Sequence, residues 1–459
     1  MDLVCGAHII DACQNAHHLC FTHMASRTDC NILIIGAGTW GCSIALESVR
    51  QGYTNIKVLD ASPFPSAISA GNDLNKIAEE ANEPSECDSD EDFFWHRVHQ
   101  IAMKAWKDDP LLAPFYHPTG FIDAAVNDDA YQRCVEYAEG EVAELVGLNT
   151  KEDFRKTMPE GVLQGDFPGW RGFWKQNGAG WVFASGALKA MHAEAVELGV
   201  QFVTGSPEGR VEELLYSGDS KVVLGARTVD GISHTAKQTV LSAGANSDRL
   251  LDFKGQLRPT AWTLAHITLS KEEAALYKDL PVLYGVDRGF FIEPDMEKHE
   301  MKICDEHPGY INPVIEDGEF RSAPFARHQI PIEAEARMRL LLRETMPQLA
   351  DREFSFARMC WDADTVDRRF LIDRHPEIEN LIVAVGGSGN GFMTCPAIGV
   401  LVTDILHSKG EVEERVKQVL RWRPETAVNR DWWDAQGRYG ADGKVMDLRD
   451  VKEWTSIGT

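Results

Sequence analysis

The chain has no apolar run of about 18 residues, the length that a membrane-crossing helix needs. It is also poor in positive charge, because 46 Lys and Arg residues stand against 71 Asp and Glu residues, a formal net charge of -25. A chain this acidic repels phosphate backbones. We therefore expect neither a membrane nor nucleic acid as a partner.

Regular cysteine pairing is also missing. The ten cysteines follow no disulfide pattern, and several lie in apolar or glycine-rich segments, such as Cys42 and Cys304. Residues 456–459 (SIGT) do not form a peroxisomal Ser-Lys-Leu signal. We expect reduced thiols in a cytoplasmic protein.

Near the start, cysteine and histidine residues fall close together, and a zinc site is one interpretation of them. Their spacing fits no standard zinc pattern, and the stretch lacks the basic start and long apolar core of a secretory signal. We therefore expect residues 1–30 to be a variable extension and the chain to hold no metal. The residues concerned are Cys13, His17, His18, Cys20 and His23.

A strand-helix-strand unit follows this extension. Asn31–Ile35 is a short apolar strand, residues 39–51 carry apolar side chains at helical spacing, and residues 56–59 form a second strand. Gly52 ends the helix. Such a unit implies a parallel sheet.

Similar signals recur in the middle and near the end of the chain, and chains beyond about 250–300 residues tend to divide into domains. We therefore expect two domains, one interleaved with the other. Residues 79–92 are acidic, contain Pro84 and predict an exposed loop. The other predicted helices are 93–107, 128–146, 189–198, 331–345 and 396–406, and the other predicted strands are near Phe202 and at 222–229, 239–242, 302–306 and 381–385.

Residues 36–41 form a G-x-G-x-x-G run between the first strand and the first helix. Gly36 allows the tight turn, Gly38 lets a pyrophosphate approach the backbone, and Gly41 lets the helix pack closely on the strand. The helix N-terminus supplies free N–H groups for the phosphates. Asp60 ends the second strand, where an acid is expected to bind ribose hydroxyls. The predicted dinucleotide-binding residues are Gly36, Gly38, Thr39, Trp40, Gly41 and Asp60.

A second glycine-rich loop, residues 386–391 (GGSGNG), follows the apolar strand Leu381–Val385 and precedes a predicted helix. A small polar segment, residues 66–73, also follows the acidic strand end. Two glycine loops at opposite ends of the chain fit one long cofactor touched at both ends, which favours FAD over NAD. An ordinary strand-to-helix turn is the alternative for the second loop.

Several longer motifs run through the chain in order: residues 36–41, 66–77 (SAISAGNDLNKI), 302–309 (KICDEHPG), 360–376 (CWDADTVDRRFLIDRHP), 386–392 (GGSGNGF), 421–425 (RWRPE) and 436–439 (QGRY). Together they resemble the amadoriases, or fructosyl amino acid oxidases, within the wider family of monomeric sarcosine oxidase. The resemblance covers roughly residues 30–456, in the same order as the family.

We therefore predict an α/β (α+β) fold, in which a Rossmann-like FAD-binding domain is interleaved with a mixed-sheet substrate domain. The resemblance implies further contacts to FAD from Ser69, Asn75, Lys76, Gly387, Gly389, Gly391, Phe392 and Met393. The predicted FAD-binding domain comprises residues 31–90, 180–255 and 355–410, the substrate domain comprises residues 91–179 and 256–354, and residues 411–459 are expected to close the active site.

Cys360 matches the cysteine that carries the flavin in this family, bonded to the 8α-methyl group. A thiolate has to add to that methyl group, so the site must favour the thiolate, and nearby Arg358 is a candidate for this role. From the residues alone, a buried free thiol is the alternative.

Lys302 and Glu306 lie four residues apart in a predicted strand, so alternation puts them on one face with Cys304. An ion pair between the two is one interpretation. The resemblance implies instead that Lys302 lies beside the flavin and promotes its reaction with oxygen, since a fixed positive charge stabilises superoxide. It also implies that Glu306 binds hydroxyls of a fructosyl group.

Lys76 matches a lysine near the flavin in amadoriases, and Trp262 corresponds to an active-site aromatic residue of the family. The alternatives are a solvated surface lysine and an aromatic side chain of the core. Met393 and Asn390 depart from the family pattern Gly-His-Gly-Phe-Lys, whose lysine pairs with the substrate carboxylate. Met393 offers soft apolar contact instead. The second carboxylate-binding residue of the family is kept as Arg438.

These residues predict an FAD-dependent amine oxidase with Lys302 and Lys76 as catalytic residues. A hydride leaves the carbon next to the nitrogen, an imine forms, and O2 yields hydrogen peroxide. Met393 and Asn390 favour an N-methyl or N-alkyl amino-acid-derived substrate of fungal secondary metabolism, as in fumisoquin-type isoquinoline pathways. Glu306 and Arg438 favour the alternative, a fructosyl amino acid. A flavin-binding redox protein without oxidase turnover is a rival, against which Lys302 argues. We expect a monomer.

Overall fold

The structure, a computed structural model, describes residues 30–316, 318–407 and 412–456. The cysteine and histidine cluster of residues 13–23 lies outside these ranges. Within them, the α-helices are α1 (Thr39–Arg50), α2 (Asp90–Asp108), α3 (Asp128–Gly140), α4 (Lys151–Arg155), α5 (Ala184–Glu197), α6 (Lys271–Leu276), α7 (Ile332–Thr345), α8 (Cys395–His407) and α9 (Glu414–Leu420).

The strands of the same ranges are grouped into five sheets. They are β1 (Asn31–Ile35), β2 (Asn55–Asp60), β3 (Lys76–Glu79), β4 (Tyr116–His117), β5 (Phe121–Ala125), β6 (Val146–Leu148), β7 (Arg171–Lys175), β8 (Ala179–Val182), β9 (Gln201–Thr204), β10 (Val211–Tyr216), β11 (Val223–Thr228), β12 (Ser233–Thr235), β13 (Gln238–Leu241), β14 (Arg258–Thr268), β15 (Val282–Gly285), β16 (Gly289–Asp295), β17 (Glu300–Cys304), β18 (Tyr310–Ile311), β19 (Pro313–Glu316), β20 (Glu319–Ser322), β21 (Phe356–Asp364), β22 (Leu371–Arg374), β23 (Leu381–Val385) and β24 (Met446–Asp447).

The first large sheet has six strands in the order β22-β23-β13-β1-β2-β9. All pairs are parallel except the edge pair β22–β23. Strand β1 is apolar throughout its buried length because both faces of the sheet are covered. Helices α1 and α8 cross closely over it, since a Cβ at Gly399 would lie 2.7 Å from the Ser43 carbonyl oxygen.

The second large sheet has ten strands and is centred on β14, which pairs with β17 and β21 in antiparallel fashion. Trp262 of β14 lies opposite Cys360, and His266 lies opposite Lys302. Residues opposite each other in an antiparallel pair project from the same face. One face of this sheet therefore carries Trp262, Cys360 and Lys302.

The α/β fold class and the strand-helix-strand start are confirmed. Several element predictions are wrong in extent, among them the strand predicted at 302–306, which ends at Cys304. The helix predicted at 128–146 ends at Gly140, because residue 141 adopts an extended backbone and residues 146–148 form β6 instead. The acidic stretch 79–92 is a loop only in its middle, since β3 reaches Glu79 and α2 starts at Asp90 behind the N-cap Ser89.

The domain boundaries stay a prediction, and two observations bear on how the segments are shared. Strand β21, within the predicted FAD-binding segment 355–410, belongs to the ten-stranded sheet. Strand β24 of the C-terminal segment adds to the same sheet beside β18. As for membranes, no helix of the described ranges combines the length and the apolar character needed to span one.

Candidate active site

A cavity of about 1090 Å³ is lined by residues from both large sheets. Among the predicted site residues, only Gly41 and Asn75 do not border it. Those that line it are Gly36, Gly38, Thr39, Trp40, Asp60, Ser69, Lys76, Trp262, Lys302, Glu306, Cys360, Gly387, Gly389, Gly391, Phe392, Met393 and Arg438.

The first glycine loop has the geometry that each glycine was expected to provide. Gly36 has a φ of +110°, and a Cβ there would lie 2.3 Å from the Ser242 carbonyl oxygen. A Cβ at Gly41 would lie 1.8 Å from the Gly36 carbonyl oxygen, so this glycine packs α1 against β1 rather than facing the cavity. Gly38 precedes α1 and borders open space, with the Ser69 hydroxyl 3.5 Å from its would-be Cβ. The N–H groups of the helix start are thus open to a phosphate.

Asp60 ends β2 beside this loop, and its two carboxylate oxygens accept hydrogen bonds from the backbone N–H groups of Ala37 and Ser62, both at 2.8 Å. These bonds fix the side chain at the cavity wall. Burial raises the pKa of Asp60, and the two backbone N–H groups oppose that shift.

The two glycine loops meet, although 350 residues separate them in sequence. The Trp40 indole Nε1 donates a hydrogen bond to the Gly391 carbonyl oxygen at 2.7 Å. The Gly389 N–H donates to Asp362 Oδ2 at 2.5 Å, and Asp362 itself lines the cavity. One continuous cavity with two converging glycine loops and an acid at the end of β2 fits FAD. Asp362 was not singled out by the sequence, although it lies in the motif 360–376.

Cys360 lies on β21 at the cavity wall, two residues after Arg358 on the same face. The Arg358 Nη1 donates to the Ala67 carbonyl oxygen at 2.8 Å, whereas its Nη2 is buried and has no hydrogen-bond partner among the described residues. Cys360 and Arg358 therefore project from the same face of β21.

Lys302 does not pair with Glu306, so the ion-pair interpretation is wrong. Strand β17 ends at Cys304, before Glu306. The Lys302 Nζ donates instead to Asp73 Oδ2 at 2.8 Å and to the Asn75 carbonyl oxygen at 2.7 Å. Lys76 Nζ lies 2.7 Å from the same Asp73 oxygen.

Asp73 therefore bridges the two predicted catalytic lysines. Burial alone would raise the pKa of Asp73, but Lys302 and Lys76 hold it well below its ordinary value. Burial likewise would lower the pKa of Lys76, and the Asp73 carboxylate raises it instead. Asn75 acts here through its backbone oxygen, while its side-chain Nδ2 donates to the Glu293 carbonyl oxygen at 3.4 Å.

Glu306 borders the cavity, and its carboxyl group makes no hydrogen bond or ion pair within the described part of the chain. Burial raises the pKa of Glu306 to about 8, and the Arg438 guanidinium opposes that shift. The group is therefore largely protonated at neutral pH.

Arg438 is already engaged by a carboxylate. Its Nη2 lies 2.8 Å from Asp364 Oδ1 and its Nη1 lies 3.0 Å from Asp364 Oδ2, and the Asp364 side chain is fully buried. The same guanidinium sits 4.6 Å from the ring centroid of Trp262. The indole Nε1 of Trp262 donates to the His307 carbonyl oxygen at 3.2 Å, which fixes the ring in the wall.

Met393 is anchored at the cavity wall by its backbone and by its sulfur. The Trp106 Nε1 donates to the Met393 carbonyl oxygen at 2.6 Å, and the Met393 sulfur accepts from the Glu79 N–H at 3.1 Å. Phe392 stacks on Trp106 with ring centroids 6.1 Å apart. The methionine thus brings an apolar thioether to the place where the resemblance predicts a cation.

Sequence reasoning missed three further cavity-lining residues, Arg133, Tyr284 and Arg368. The charges of Arg133 and Arg368 act on Glu306, whereas burial raises the pKa of Tyr284, so that its phenol is uncharged at neutral pH. Arg368 carried a signal, because it stands in the motif 360–376. Arg133 and Tyr284 carried none, since each comes from an element that only the fold brings here.

The chain is similar in sequence and in structure to known proteins. The family model of FAD dependent oxidoreductases matches residues 31–405. The crystal structure of amadoriase I (fructosyl amine:oxygen oxidoreductase) from Aspergillus fumigatus is 52% identical, with a TM-score of 0.90, and the match covers 94% of this chain and 98% of that chain.

Amadoriase II from the same organism, a deglycating fructosamine oxidase, is 50% identical with a TM-score of 0.89 and the same coverage of 94% and 98%. L-saccharopine oxidase from Schizosaccharomyces pombe is 28% identical over 89% of this chain and 96% of its own length. These relatives are a fructosyl amine:oxygen oxidoreductase, a fructosamine oxidase and a saccharopine oxidase, and the matching family is one of FAD dependent oxidoreductases. Together they confirm the predicted reaction class, an FAD-dependent amine oxidase. The chain belongs to the FAD dependent oxidoreductase family, as an amadoriase-like flavoenzyme that oxidises a secondary amine with O2 as the acceptor.

Proposed function

We propose that the substrate is the secondary amine of an amino-acid-derived metabolite with an N-methyl or larger N-alkyl group. The observation that carries this proposal is Met393 at the cavity wall, with its sulfur held by the Glu79 N–H at 3.1 Å. A thioether makes soft apolar contacts and cannot form an ion pair with a carboxylate. This part of the cavity therefore suits an apolar group of the substrate.

The residues that hold FAD in this proposal are the two glycine loops and Asp60, which converge on one cavity. When bound, FAD takes up the two electrons that leave the amine and delivers them to O2. We further propose that Cys360 bonds to the flavin. Cys360 lies on β21 in the wall of that cavity, at the position where the resemblance implies the flavin-bearing cysteine.

Lys302 serves the oxygen half of the reaction in this proposal. Its ammonium group is fixed by Asp73 and by the Asn75 carbonyl oxygen, with only 1% of the side chain exposed. A preorganised positive charge stabilises the negative charge that develops on oxygen as it is reduced. Because the ammonium group is already oriented, no solvent has to reorganise when that charge appears.

The amine itself has to be neutral when it reacts. At neutral pH the protonated Glu306 carries no negative charge that would stabilise an ammonium form of the substrate. Arg438, Arg368 and Arg133 surround it with positive charge, which disfavours a further cation in the cavity. The surroundings of Glu306 therefore favour the reactive, unprotonated amine.

Fructosyl amino acids are a second candidate substrate class. The Glu306 carboxyl group, free of protein partners within the described residues, can hydrogen-bond to sugar hydroxyls, and the two amadoriases are 50–52% identical to this chain. Amadoriase I is a fructosyl amine:oxygen oxidoreductase and amadoriase II is a fructosamine oxidase, which favours this class.

A substrate panel separates the two classes. We would mix the holoenzyme anaerobically with N-methylated aromatic amino acids and with fructosyl amino acids, follow bleaching of the flavin absorbance, and then measure peroxide in air. Faster bleaching by the N-methyl compounds supports the first proposal. Preferred turnover of fructosyl amino acids would replace it by the second, and absence of bleaching with every secondary amine would overturn both.

A further inference from the structure

Met393 brings an oxidisable thioether to the cavity that would hold FAD. Among the described methionines, it alone lines this cavity. Met296 is 44% exposed but lies on the turn after β16, and Met446 borders a separate cavity. The remaining described methionines are buried in the protein: Met103, Met158, Met191, Met301, Met338, Met346 and Met359. An oxidant that forms inside this cavity therefore meets Met393 before any other described methionine.

The Met393 sulfur is held at the cavity wall from two sides. The Trp106 Nε1 fixes the Met393 backbone through the carbonyl oxygen at 2.6 Å, and the Glu79 N–H donates to the sulfur at 3.1 Å. Glu79 is itself fixed, because its Oε1 accepts from the Tyr137 hydroxyl and from the Lys175 Nζ. A thioether sulfur has two lone pairs, and one N–H engages only one of them. The other lone pair stays available for reaction.

The other sulfur atoms of the cavity wall are less reactive. Burial raises the pKa of Cys304 to about 12, so this residue remains a thiol, whereas peroxide attacks the thiolate. The Cys360 sulfur is taken up by the proposed bond to the flavin. A thioether has no proton to lose, so peroxide oxidises it at any pH. The resemblance predicts a lysine at position 393, which makes this reactive sulfur a feature of the present chain.

The oxidant comes from the enzyme's own reaction, because oxidation of a secondary amine with O2 releases hydrogen peroxide in this cavity. We propose that Met393 is a modification site at which this peroxide forms methionine sulfoxide and so limits turnover. A sulfur lone pair attacks one peroxide oxygen, the O–O bond breaks and an S–O bond forms. The sulfur loses two electrons. The other oxygen gains them, takes the proton of the transferred oxygen and leaves as water.

The sulfoxide changes the wall in a defined way. It replaces a soft apolar contact by a polar, chiral group whose oxygen accepts hydrogen bonds. An apolar group of the substrate packs poorly against that oxygen, which has to be desolvated. The change is reversible, because methionine sulfoxide reductases restore the thioether. The modification requires only peroxide in the cavity, whichever amine is oxidised, whereas the loss of rate rests on the apolar group of the proposed substrate.

The test locates the added oxygen by mass spectrometry of proteolytic peptides. The holoenzyme is turned over in air with N-methylphenylalanine in the presence of catalase, which destroys peroxide that has left the protein. In a second arm, dithionite reduces the flavin and air reoxidises it over many cycles, again with catalase, so that peroxide forms without any amine. In a third arm, hydrogen peroxide is added to the resting holoenzyme without catalase.

With catalase present, we expect oxidation of Met393 to exceed that of Met296 and Met446 by about 10-fold or more, since only Met393 lies where the peroxide forms. With added peroxide the order should reverse, because Met296 is the most exposed of the three. Equal oxidation of Met296 and Met393 in the presence of catalase would overturn the proposal. An unmodified Met393 after many turnovers would do the same.

Activity is followed in wild type, Met393→Leu and the matched control Met296→Leu, each relative to its own initial rate. Wild type and Met296→Leu should lose about 10-fold in kcat/KM as Met393 is oxidised, the effect of roughly one unfavourable polar contact. Met393→Leu should keep its initial value. Sulfoxide reductases A and B together should restore the wild type. An equal loss in Met393→Leu, or a full rate with oxidised Met393, would overturn the limiting role.

Thermal melting shows whether Met393→Leu is folded. If it is not, recovery of the wild-type rate by the reductases decides alone, and oxidation without recovery counts against the limiting role. The inference and the proposed function also fail separately. Oxygen on Met393 after the dithionite cycles, with no amine oxidised, keeps the modification site and removes the proposed function. Rapid oxidation of N-methylphenylalanine with unmodified Met393 does the reverse.

Discussion

The Nζ atom of Lys302 lies 2.8 Å from Oδ2 of Asp73, and 1% of each side chain is exposed. Lys76 approaches the same oxygen at 2.7 Å, so one buried carboxylate holds two ammonium groups and the cluster keeps one net positive charge. A buried ion pair is costly to desolvate and is weak evidence for a purely stabilising role. A cluster with surplus charge beside the cavity is better explained by the reaction that takes place there.

We predict that Lys302→Met slows the reaction of the reduced enzyme with O2 by about 100–1000-fold, the usual effect of removing one preorganised group of this kind. Anaerobic reduction by the amine should change far less, because the charge acts on oxygen and not on the substrate. Stopped-flow measurements of the two half-reactions decide this. Lys298→Met, at an exposed lysine before the same strand, serves as the control. An unchanged oxidative rate in Lys302→Met would reduce Lys302 to a structural partner of Asp73.

We predict that Cys360→Ala abolishes covalent attachment of the flavin. Wild-type protein precipitated in acid should keep its yellow colour in the pellet, whereas the variant should release it into the supernatant. Cys304→Ala is the matched control, because Cys304 is another buried thiol that lines the same cavity. Burial raises the pKa of Cys304 to about 12, so this thiol is not expected to react. Colour released from wild type would refute the covalent bond. Colour released from Cys304→Ala, but not from Cys360→Ala, would show that Cys304 carries the flavin instead.

We predict that Met393→Lys raises kcat/KM for small carboxylated amines, such as sarcosine and fructosyl glycine, by about 10-fold or more. A charge-assisted contact contributes about 1.5–3 kcal/mol, which the thioether cannot supply. Met393→Leu keeps the apolar contact and should leave these substrates poor. The measurement is kcat/KM for both substrate types on all three proteins. If wild type already prefers fructosyl amino acids, the N-alkyl proposal is wrong and the deglycating activity stands.

We predict that binding of a carboxylate anion such as glutarate in this cavity weakens as the pH rises through about 8, the raised pKa of Glu306. Titration of the holoenzyme with glutarate, followed by the visible flavin spectrum, measures this binding. Below that pH Glu306 is neutral. Above it, the negative charge of Glu306 repels the anion and offsets the positive charge of the nearby arginines. The charged groups that interact with Glu306 are Arg438, Asp305, Arg133 and Arg368, and the arginines stay protonated over pH 7–9. Glu306→Gln should bind glutarate with a flat profile between pH 7 and 9. The same loss of affinity in that variant would show that another group titrates.

Much of the part of the site that would hold FAD could be predicted from local sequence. The glycines at 36, 38 and 41 have roles that follow from backbone conformation and close packing within one strand-helix turn, and the structure shows both. Periodicity likewise located the buried strand Leu381–Val385 within its observed bounds. These features depend on neighbours in sequence, so a linear pattern is enough to predict them. Helix α3 was predicted too long because the helix-ending signal of Gly140 was not used; after it the chain turns to pair β6 with β7.

What the sequence by itself determined is the set of chemical groups: a dinucleotide turn, a second glycine loop, a cysteine in the motif 360–376 and a lysine on a buried strand. Only the tertiary structure decided which of them are partners. Lys302 forms its ion pair with Asp73, which is 229 residues away in sequence, and not with Glu306, which is only four residues away. Arg438 is matched by Asp364 while Arg368 is left without a carboxylate in the described chain. Register between distant strands sets these pairings, and it depends on the packing of whole sheets, which no local pattern encodes.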